Sequence, residues 1–214
     1  MKIATIAAVV ALFAAGTASA SPVNLITNGN FETVATGYTF NSGFKVINNG
    51  SSALTGWTVG ASSVDLIRNA YNAIDGYSVD MLGTPGPGFL SQSFSVIAGQ
   101  TYNLSFDMAR NSGGPAGQGV AVSFGGAAGN FYSTAAASNT LYSSNTLSFT
   151  AATTGLATLS FASAAKAGTP FDKFSGAVID NVSVMTAVPE PETYAMLLAG
   201  LGLMGFLRRR KAAK

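Results

Sequence analysis

Residues 102–108 read Tyr-Asn-Leu-Ser-Phe-Asp-Met, and this stretch decides the fold class. The side chains at positions 102, 104, 106 and 108 are apolar, and those between them are polar. Because successive side chains of a β-strand point to opposite faces, this alternation predicts a strand with one face on a core and the other in water.

The same alternation recurs in four further segments. Their apolar rows are Phe94 and Val96; Val120, Val122 and Phe124; Leu147 and Phe149; and Ala157, Leu159 and Phe161. Turn-forming pairs such as Asn28-Gly29, Asn49-Gly50 and Asp75-Gly76 separate the extended segments. No segment between residues 21 and 187 has a convincing amphipathic helical pattern. Many short strands with Gly-rich turns predict an all-β sandwich or barrel.

The composition excludes several classes of function. The chain has 214 residues, of which 9% are charged, and it contains no Cys and no His. A disulfide framework, a thiol nucleophile, a Ser-His-Asp triad and the common zinc sites are therefore excluded. Residues 21–187 also lack the clustered Lys and Arg that a nucleic-acid groove needs. We predict no catalytic residue and no nucleic-acid partner.

The first 20 residues have the pattern of a secretory signal. Lys2 is followed by the apolar run Ile3–Ala15 and by the small residues Ala18-Ser19-Ala20. This order predicts a signal helix, residues 1–20, that is cleaved after Ala20.

The C-terminal segment, residues 188–214, has three features in a fixed order. Pro189-Glu190-Pro191 precedes the apolar run Tyr194–Leu207, and the basic cluster Arg208-Arg209-Arg210 follows. A helix over the apolar run is about 21 Å long, which is short for the roughly 30 Å hydrocarbon core. With its flanking residues the run is a marginal transmembrane helix whose basic end stays in the cytoplasm.

This arrangement closely resembles the PEP-CTERM sorting signal of Gram-negative bacteria. The resemblance implies processing by an exosortase, a membrane cysteine protease-transpeptidase, near Pro189-Glu190-Pro191. It also implies export, a transient inner-membrane anchor, and final location at the cell surface or in an exopolysaccharide or biofilm matrix.

The body, residues 21–187, resembles carbohydrate-binding-module-like jelly rolls. Asn24–Glu32 is similar to their opening strand and Ile179–Val184 to their closing strand. The segments around Trp57, Asp80 and Phe106 occur in the order found in galactose-binding-like jelly-roll domains. The resemblance implies a β-sandwich jelly roll between the two terminal segments.

The resemblance also implies a calcium site. In the resembled jelly rolls a structural calcium often ties the first strand region to the last, and Glu32 and Asp180 occupy the matching positions. Strand periodicity places Asp180 on the same face as Val178, Val182 and Val184, the core-facing row, where a bare carboxylate is costly. The alternative is that Asp180 accepts backbone N–H bonds at the rim.

Aromatic residues are candidates for stacking on sugars. We expect Trp57, the one Trp, to fill the core, because it lies within a strand. Better candidates are the aromatic residues in or near loops: Tyr38, Phe40, Phe44, Tyr71, Tyr77, Phe131, Tyr132 and Tyr142. Asp75 and Asp80 are predicted to be solvated turn carboxylates rather than a hydrolytic pair.

The leading hypothesis is an exported surface or matrix protein that binds polysaccharide without catalysis. One alternative is a structural matrix protein that associates with itself through sheet edges and a surface of low charge. A less favoured alternative is a glycan-active enzyme.

Overall fold

The computed structural model describes residues 23–36, 40, 43–68, 73–133, 142–170, 172, 174–187, 197–202 and 204. The strands in chain order are β1 (Phe44–Asn48), β2 (Thr58–Ala61), β3 (Ser63–Ile67), β4 (Ser78–Asp80), β5 (Gly88–Val96), β6 (Thr101–Arg110), β7 (Gln118–Phe124), β8 (Ala127–Tyr132), β9 (Ser143–Thr150), β10 (Gly155–Ala165) and β11 (Ala177–Thr186).

The strands form a β-sandwich of the jelly-roll type. One sheet has six strands in the order β1-β3-β4-β11-β6-β9, and the other has five in the order β2-β5-β10-β7-β8. Neighbouring strands pair antiparallel in both sheets. The all-β jelly roll predicted from the sequence is therefore confirmed.

The main core lies between the two sheets and is rich in aromatic rings. Phe106 of the six-stranded sheet and Phe161 of the five-stranded sheet meet edge to face, with ring centroids 5.1 Å apart. Every apolar residue of the predicted rows on β5, β6, β7 and β10 is buried. Alternation therefore identified the inward face of these strands correctly.

The outer face of the six-stranded sheet carries a second, smaller apolar cluster. Ile67, Ala109 and Val178 are buried there together with Ala73, and the half-buried Phe44 packs against them. A sheet covered on both faces has buried residues in both rows of its strands. This is the pattern of β3, all five residues of which are buried.

The chain divides into two compact units, one of which is the body, Pro22–Ala187. The other combines residues 1–21 with residues 188–214. Within it, residues 197–202 and 204 are helical, and the side chains of Leu197, Leu198 and Leu201 are exposed. Among the described residues, no helix combines the length and the apolar character needed to cross a membrane.

Several sequence predictions concern residues outside the described part of the chain. These are the signal helix with its cleavage site at Ala20, the Pro189-Glu190-Pro191 motif, and the basic cluster Arg208-Arg209-Arg210. Tyr38 and Tyr71, two of the candidate sugar-stacking residues, also lie outside it.

Candidate functional site

A pocket of about 330 Å³ lies beside β3 and β4. Its polar lining comes from both strands and from the segments that follow β4, β6 and β10. The described residues that line it are Phe44, Asp65, Ile67, Asp80, Thr84, Asn111, Phe174 and Ser175. Its volume is at the lower end of the range for small-molecule sites.

Two carboxylates meet in this pocket because of strand register. Asp65 of β3 and Asp80 of β4 are directly opposite each other in the antiparallel pair, so both side chains leave the same face of the sheet. Their neighbours Val64 and Val79 point the other way, into the main core. Asp65 is 3% exposed and Asp80 is fully buried.

Asp80 is held by donors from three parts of the chain. Its Oδ1 accepts hydrogen bonds from the backbone N–H of Leu82 (2.9 Å) and of Gly176 (3.0 Å). Its Oδ2 accepts from Nδ2 of Asn111 at 2.6 Å. The Oδ1 of Asn111 in turn accepts from the backbone N–H of Gly113, which fixes the orientation of the amide.

Among the described residues, Thr84 is the one that donates hydrogen bonds to the Asp65 carboxylate. Its Oδ1 accepts from the backbone N–H of Thr84 at 3.1 Å, and its Oδ2 accepts from the Thr84 hydroxyl at 3.0 Å. Both polar hydrogens of Thr84 are therefore used on this carboxylate.

Burial dominates the electrostatics of the pair. It raises the pKa of Asp80 to about 7, although the hydrogen bonds from Asn111 and the two backbone donors oppose the shift. The neighbouring charge of Asp65 raises the Asp80 pKa further. Burial also raises the pKa of Asp65, against the effect of its hydrogen bonds from Thr84. The pocket thus holds two buried carboxylates, and no Lys or Arg is among the described residues that line it.

Asp180, one of the two predicted calcium ligands, is buried, but the prediction of its face was wrong. The register of β11 against β6 shifts between Asp180 and Ser183, and Asn181 has a positive φ of 50°. This bulge reverses the alternation, so Val182 and Val184 enter the main core. Asp180 instead lies opposite Asp107 on the outer face.

Asp180 and Glu32 both bind the turn that precedes β4. The Oδ2 of Asp180 accepts from the Ser78 hydroxyl (2.8 Å) and from the backbone N–H of Asp75 (3.3 Å). The Oε1 of Glu32 accepts from the backbone N–H of Tyr77 at 2.6 Å. Two residues that are 148 positions apart in the sequence therefore converge on residues 75–78.

The two carboxylates also repel each other. Burial raises the pKa of Asp180 to about 7, its hydrogen bonds oppose this shift, and the charge of Glu32 adds to it. Gly76 allows Glu32 to lie against the turn at residues 75–78, because a Cβ there would overlap the Glu32 carboxylate. Within the described residues, no group of three or more acidic side chains is placed to hold a metal ion.

The aromatic candidates separate into core and surface residues. Trp57 is 4% exposed, packs against the ring of Phe31, and donates from Nε1 to the carbonyl of Asn28 at 2.9 Å. It is a core residue, as predicted. Phe40 and Tyr77 stack on each other with centroids 4.9 Å apart.

The remaining aromatic candidates differ in their exposure. The guanidinium of Arg68 lies 5.4 Å from the Phe40 ring and 5.5 Å from the Tyr77 ring. Phe131 packs against the main core, whereas Tyr142 is 53% exposed. Of the described aromatic candidates, Phe44 lines the pocket. It was expected in or near a loop and is the first residue of β1.

Sequence reasoning missed the pairing of Asp65 with Asp80. It predicted that Asp75 and Asp80 are solvated turn carboxylates, which is correct for Asp75, exposed in the turn before β4, and wrong for Asp80, which is buried on β4. A usable signal was present, because Asp65 stands inside the apolar run Val64-Asp65-Leu66-Ile67. A charged residue within such a run indicates a buried, partnered carboxylate.

Comparison with known proteins identifies both the body and the tail. A family model described as "Protein of unknown function (DUF642)" matches residues 24–185. The chain belongs to the DUF642 family. A second model, the PEP-CTERM protein-sorting motif, matches residues 187–211. The sorting motif predicted for the tail is therefore confirmed, and it marks this DUF642 chain as an exported protein.

Individual relatives of the DUF642 body are distant. Halomucin of Haloquadratum walsbyi is 31% identical over 93 residues, which are 42% of this chain but 1% of halomucin. A cyclase from Fischerella sp. TAU, solved with 4-(1H-indol-3-yl)butan-2-one, has 16% identity and a TM-score of 0.51 over 80% of this chain and all of the cyclase.

A carbohydrate-binding module, TmCBM61 with β-1,4-galactotriose, has 14% identity and a TM-score of 0.41 over 76% of this chain and 97% of the module. At such identities a structural likeness establishes only the fold, and a fold of this kind hosts many functions. The function of this DUF642 body must therefore be argued from its own pocket.

Proposed function

We propose that this DUF642 protein is an exported, non-catalytic carbohydrate-binding protein of the cell surface or extracellular matrix. The observation that supports this proposal is the pocket beside β3 and β4, in which two buried carboxylates face apolar walls. The sorting motif supports the location, because it marks the chain for export.

The pocket has the two kinds of surface that a sugar ring requires. Sugar hydroxyls donate hydrogen bonds, and the oxygens of Asp65 and Asp80 accept them. The C–H face of a sugar ring packs against apolar side chains, which Phe44, Ile67 and Phe174 supply. The volume of about 330 Å³ suits one or two sugar residues of a longer chain.

We also propose that a structural calcium is held by Glu32 and Asp180. Their donor chemistry fits the ion, because calcium prefers carboxylate and carbonyl oxygens. The mutual repulsion of the two carboxylates also fits, because a cation between them removes it. Bound there, the ion would tie the first segment of the body to β11 and to the turn at residues 75–78, apart from the sugar pocket.

A glycan-active enzyme is the second candidate, and one observation favours it. Asp65 and Asp80 form a buried carboxyl pair, and the pKa of Asp80 lies near neutrality, where a general acid works best. Sugar release from the bound polysaccharide, lost in Asp80→Asn, would establish this candidate in place of the non-catalytic one.

Binding to the producer's own exopolysaccharide tests the proposed function. Isothermal titration of the full-length chain should give saturable binding, and Asp65→Asn should weaken it roughly tenfold or more, because hydrogen bonds to charged groups are strong. Asp107→Asn is the matched control, since Asp107 lies on β6 outside the pocket. No measurable affinity, with calcium or with EDTA, would refute the proposal.

Sorting by an exosortase has its own test. We expect the chain recovered from the producing cell to begin at Ser21 and to lack the basic cluster Arg208-Arg209-Arg210 when both termini are identified by mass spectrometry. Replacing Pro189, Glu190 and Pro191 together by Ala should leave the tail intact and keep the protein in the membrane fraction. An unchanged C-terminus in the unmutated chain would contradict exosortase processing.

A further inference from the structure

The pocket beside β3 and β4 has an unequal supply of donors and acceptors. The Asn111 amide donates to Asp80, and both polar hydrogens of Thr84 are used on Asp65. The backbone N–H groups of Leu82 and Gly176 are also used on Asp80. These five donors point at the two carboxylates and leave acceptor capacity, mainly on Asp65, for a ligand.

The remaining capacity can be counted from the hydrogen bonds. A carboxylate offers about four acceptor positions. Asp65 uses one for each of its two bonds from Thr84, whereas Asp80 receives one bond each from Asn111 and Leu82 and a shared bond from the Gly176 N–H to both of its oxygens. About two positions are left on Asp65, and one becomes free on Asp80 when the Gly176 N–H bonds to a single oxygen.

The negative charge of the pocket lining also favours a ligand that brings an ammonium group. The eight described residues that line the pocket include two carboxylates and no Lys or Arg. The charged group that acts on Asp80 is Asp65, which has the same sign. A ligand with a positive charge offsets the repulsion between the two carboxylates as well as the cost of burying them, whereas a neutral ligand offsets the burial only through hydrogen bonds and leaves the repulsion in place.

Assuming the carbohydrate-binding function proposed above, we infer that the ligand is an amino sugar with a free ammonium group, bound between Asp65 and Asp80. Its ring carbons pack against Phe44, Ile67 and Phe174, and its ammonium donates to the two carboxylates. A bare divalent cation fits less well, because calcium needs six to eight oxygen ligands and leaves these apolar walls unused. A partly deacetylated amino-sugar polysaccharide has the required chemistry.

Three trisaccharides of one backbone test the inference. The β-1,4-linked trimers of glucosamine, N-acetylglucosamine and glucose differ in the group on C2, which is an ammonium, an acetamide or a hydroxyl. Titrated into the full-length chain at neutral pH, the glucosamine trimer should bind roughly tenfold or more tightly than either of the others. Added salt should reduce this preference.

Two variants and a control test whether the preference for the glucosamine trimer depends on Asp65 and Asp80. Asp65→Asn and Asp80→Asn should each remove it, because each deletes a carboxyl group that carries a negative charge when the ammonium is bound, and Asp107→Asn should keep it. The fluorescence of Trp57, which is buried in the core, verifies that each variant is folded. If Asp80→Asn does not fold, Asp65→Asn decides alone, because Thr84 is the one described residue that donates to Asp65.

The outcomes separate this inference from the proposed function. Equal binding of the three trimers, or a preference that survives in Asp65→Asn, overturns the inference while carbohydrate binding stands. Binding of the producer's polysaccharide without any preference for the amine has the same meaning. Failure of all three trimers and of the polysaccharide overturns both.

Discussion

Raising the pH should destabilise this protein through the buried carboxyl of Asp80. In the folded chain the pKa of Asp80 is about 7, whereas its ordinary value is 3.8. Above the ordinary value, the unfolded chain loses this proton and the folded chain keeps it. Stability is therefore greatest at acidic pH, falls as the pH rises toward 7, and levels off above it.

The size of the effect follows from the shift. A shift of one pKa unit corresponds to about 1.4 kcal/mol, so a shift of roughly three units gives about 4 kcal/mol between pH 4 and pH 8. That is a large fraction of the 5–15 kcal/mol that stabilises an ordinary domain. Asp80→Asn cannot ionise, so this contribution to the pH dependence should be absent in the variant.

The experiment is urea denaturation at several pH values with calcium absent, followed by the fluorescence of Trp57. Trp57 is the one Trp of the chain and is 4% exposed, so its emission reports on loss of the core. The quantity to plot is the free energy of unfolding of the variant minus that of the unmutated chain. Contributions that the two chains share, such as that of Asp180, cancel in this difference.

We expect the variant to be less stable at pH 4, by about 1–3 kcal/mol, because its amide cannot satisfy all three donors that now bind the carboxyl. As the pH rises to 8, the free energy of unfolding of the variant should increase relative to that of the unmutated chain by up to about 4 kcal/mol. A difference that is constant with pH would refute the assignment of this dependence to Asp80. Asp107→Asn serves as the control on the same face.

The remaining predictions concern calcium and one turn. Calcium at 100 times its dissociation constant should stabilise the chain by about 2.7 kcal/mol, and Glu32→Gln and Asp180→Asn should abolish the gain; an unchanged melting temperature in excess EDTA would exclude the site. Gly29→Ala should destabilise by about 2–4 kcal/mol in urea denaturation, because its Cβ would overlap the carbonyl oxygen of Val182. Gly155→Ala, where a Cβ meets nothing within 4 Å, is the matched control and should change stability by about 0.5 kcal/mol or less.

The strands could be predicted from the sequence because alternation is a local property. Tyr102, Leu104, Phe106 and Met108 point into the core as their spacing indicates. The face of Asp180 was predicted wrongly because periodicity assumes an unbroken strand, and the bulge at Asn181 breaks it. Asn is among the non-glycine residues that most often adopt positive φ, but one Asn on the polar row of a strand does not by itself predict a bulge.

The carboxylate pair could not be predicted, because it depends on a register between strands. Asp65 and Asp80 are 15 positions apart, and they meet only because β3 and β4 pair with Asp65 opposite Asp80. A shift of that register by one residue would send the two side chains to opposite faces of the sheet. The convergence of Glu32 and Asp180 is equally non-local, and it was implied by family resemblance rather than by spacing.

The position of β11 has a consequence for export. β11 follows the other described strands of the body in the chain, yet it pairs with β4 on one side and β6 on the other in the middle of the six-stranded sheet. The strands β1-β3-β4 and β6-β9 are joined in this sheet only through β11, residues 177–186. The sheet therefore cannot be completed during export before these residues, which lie next to the sorting motif, are available.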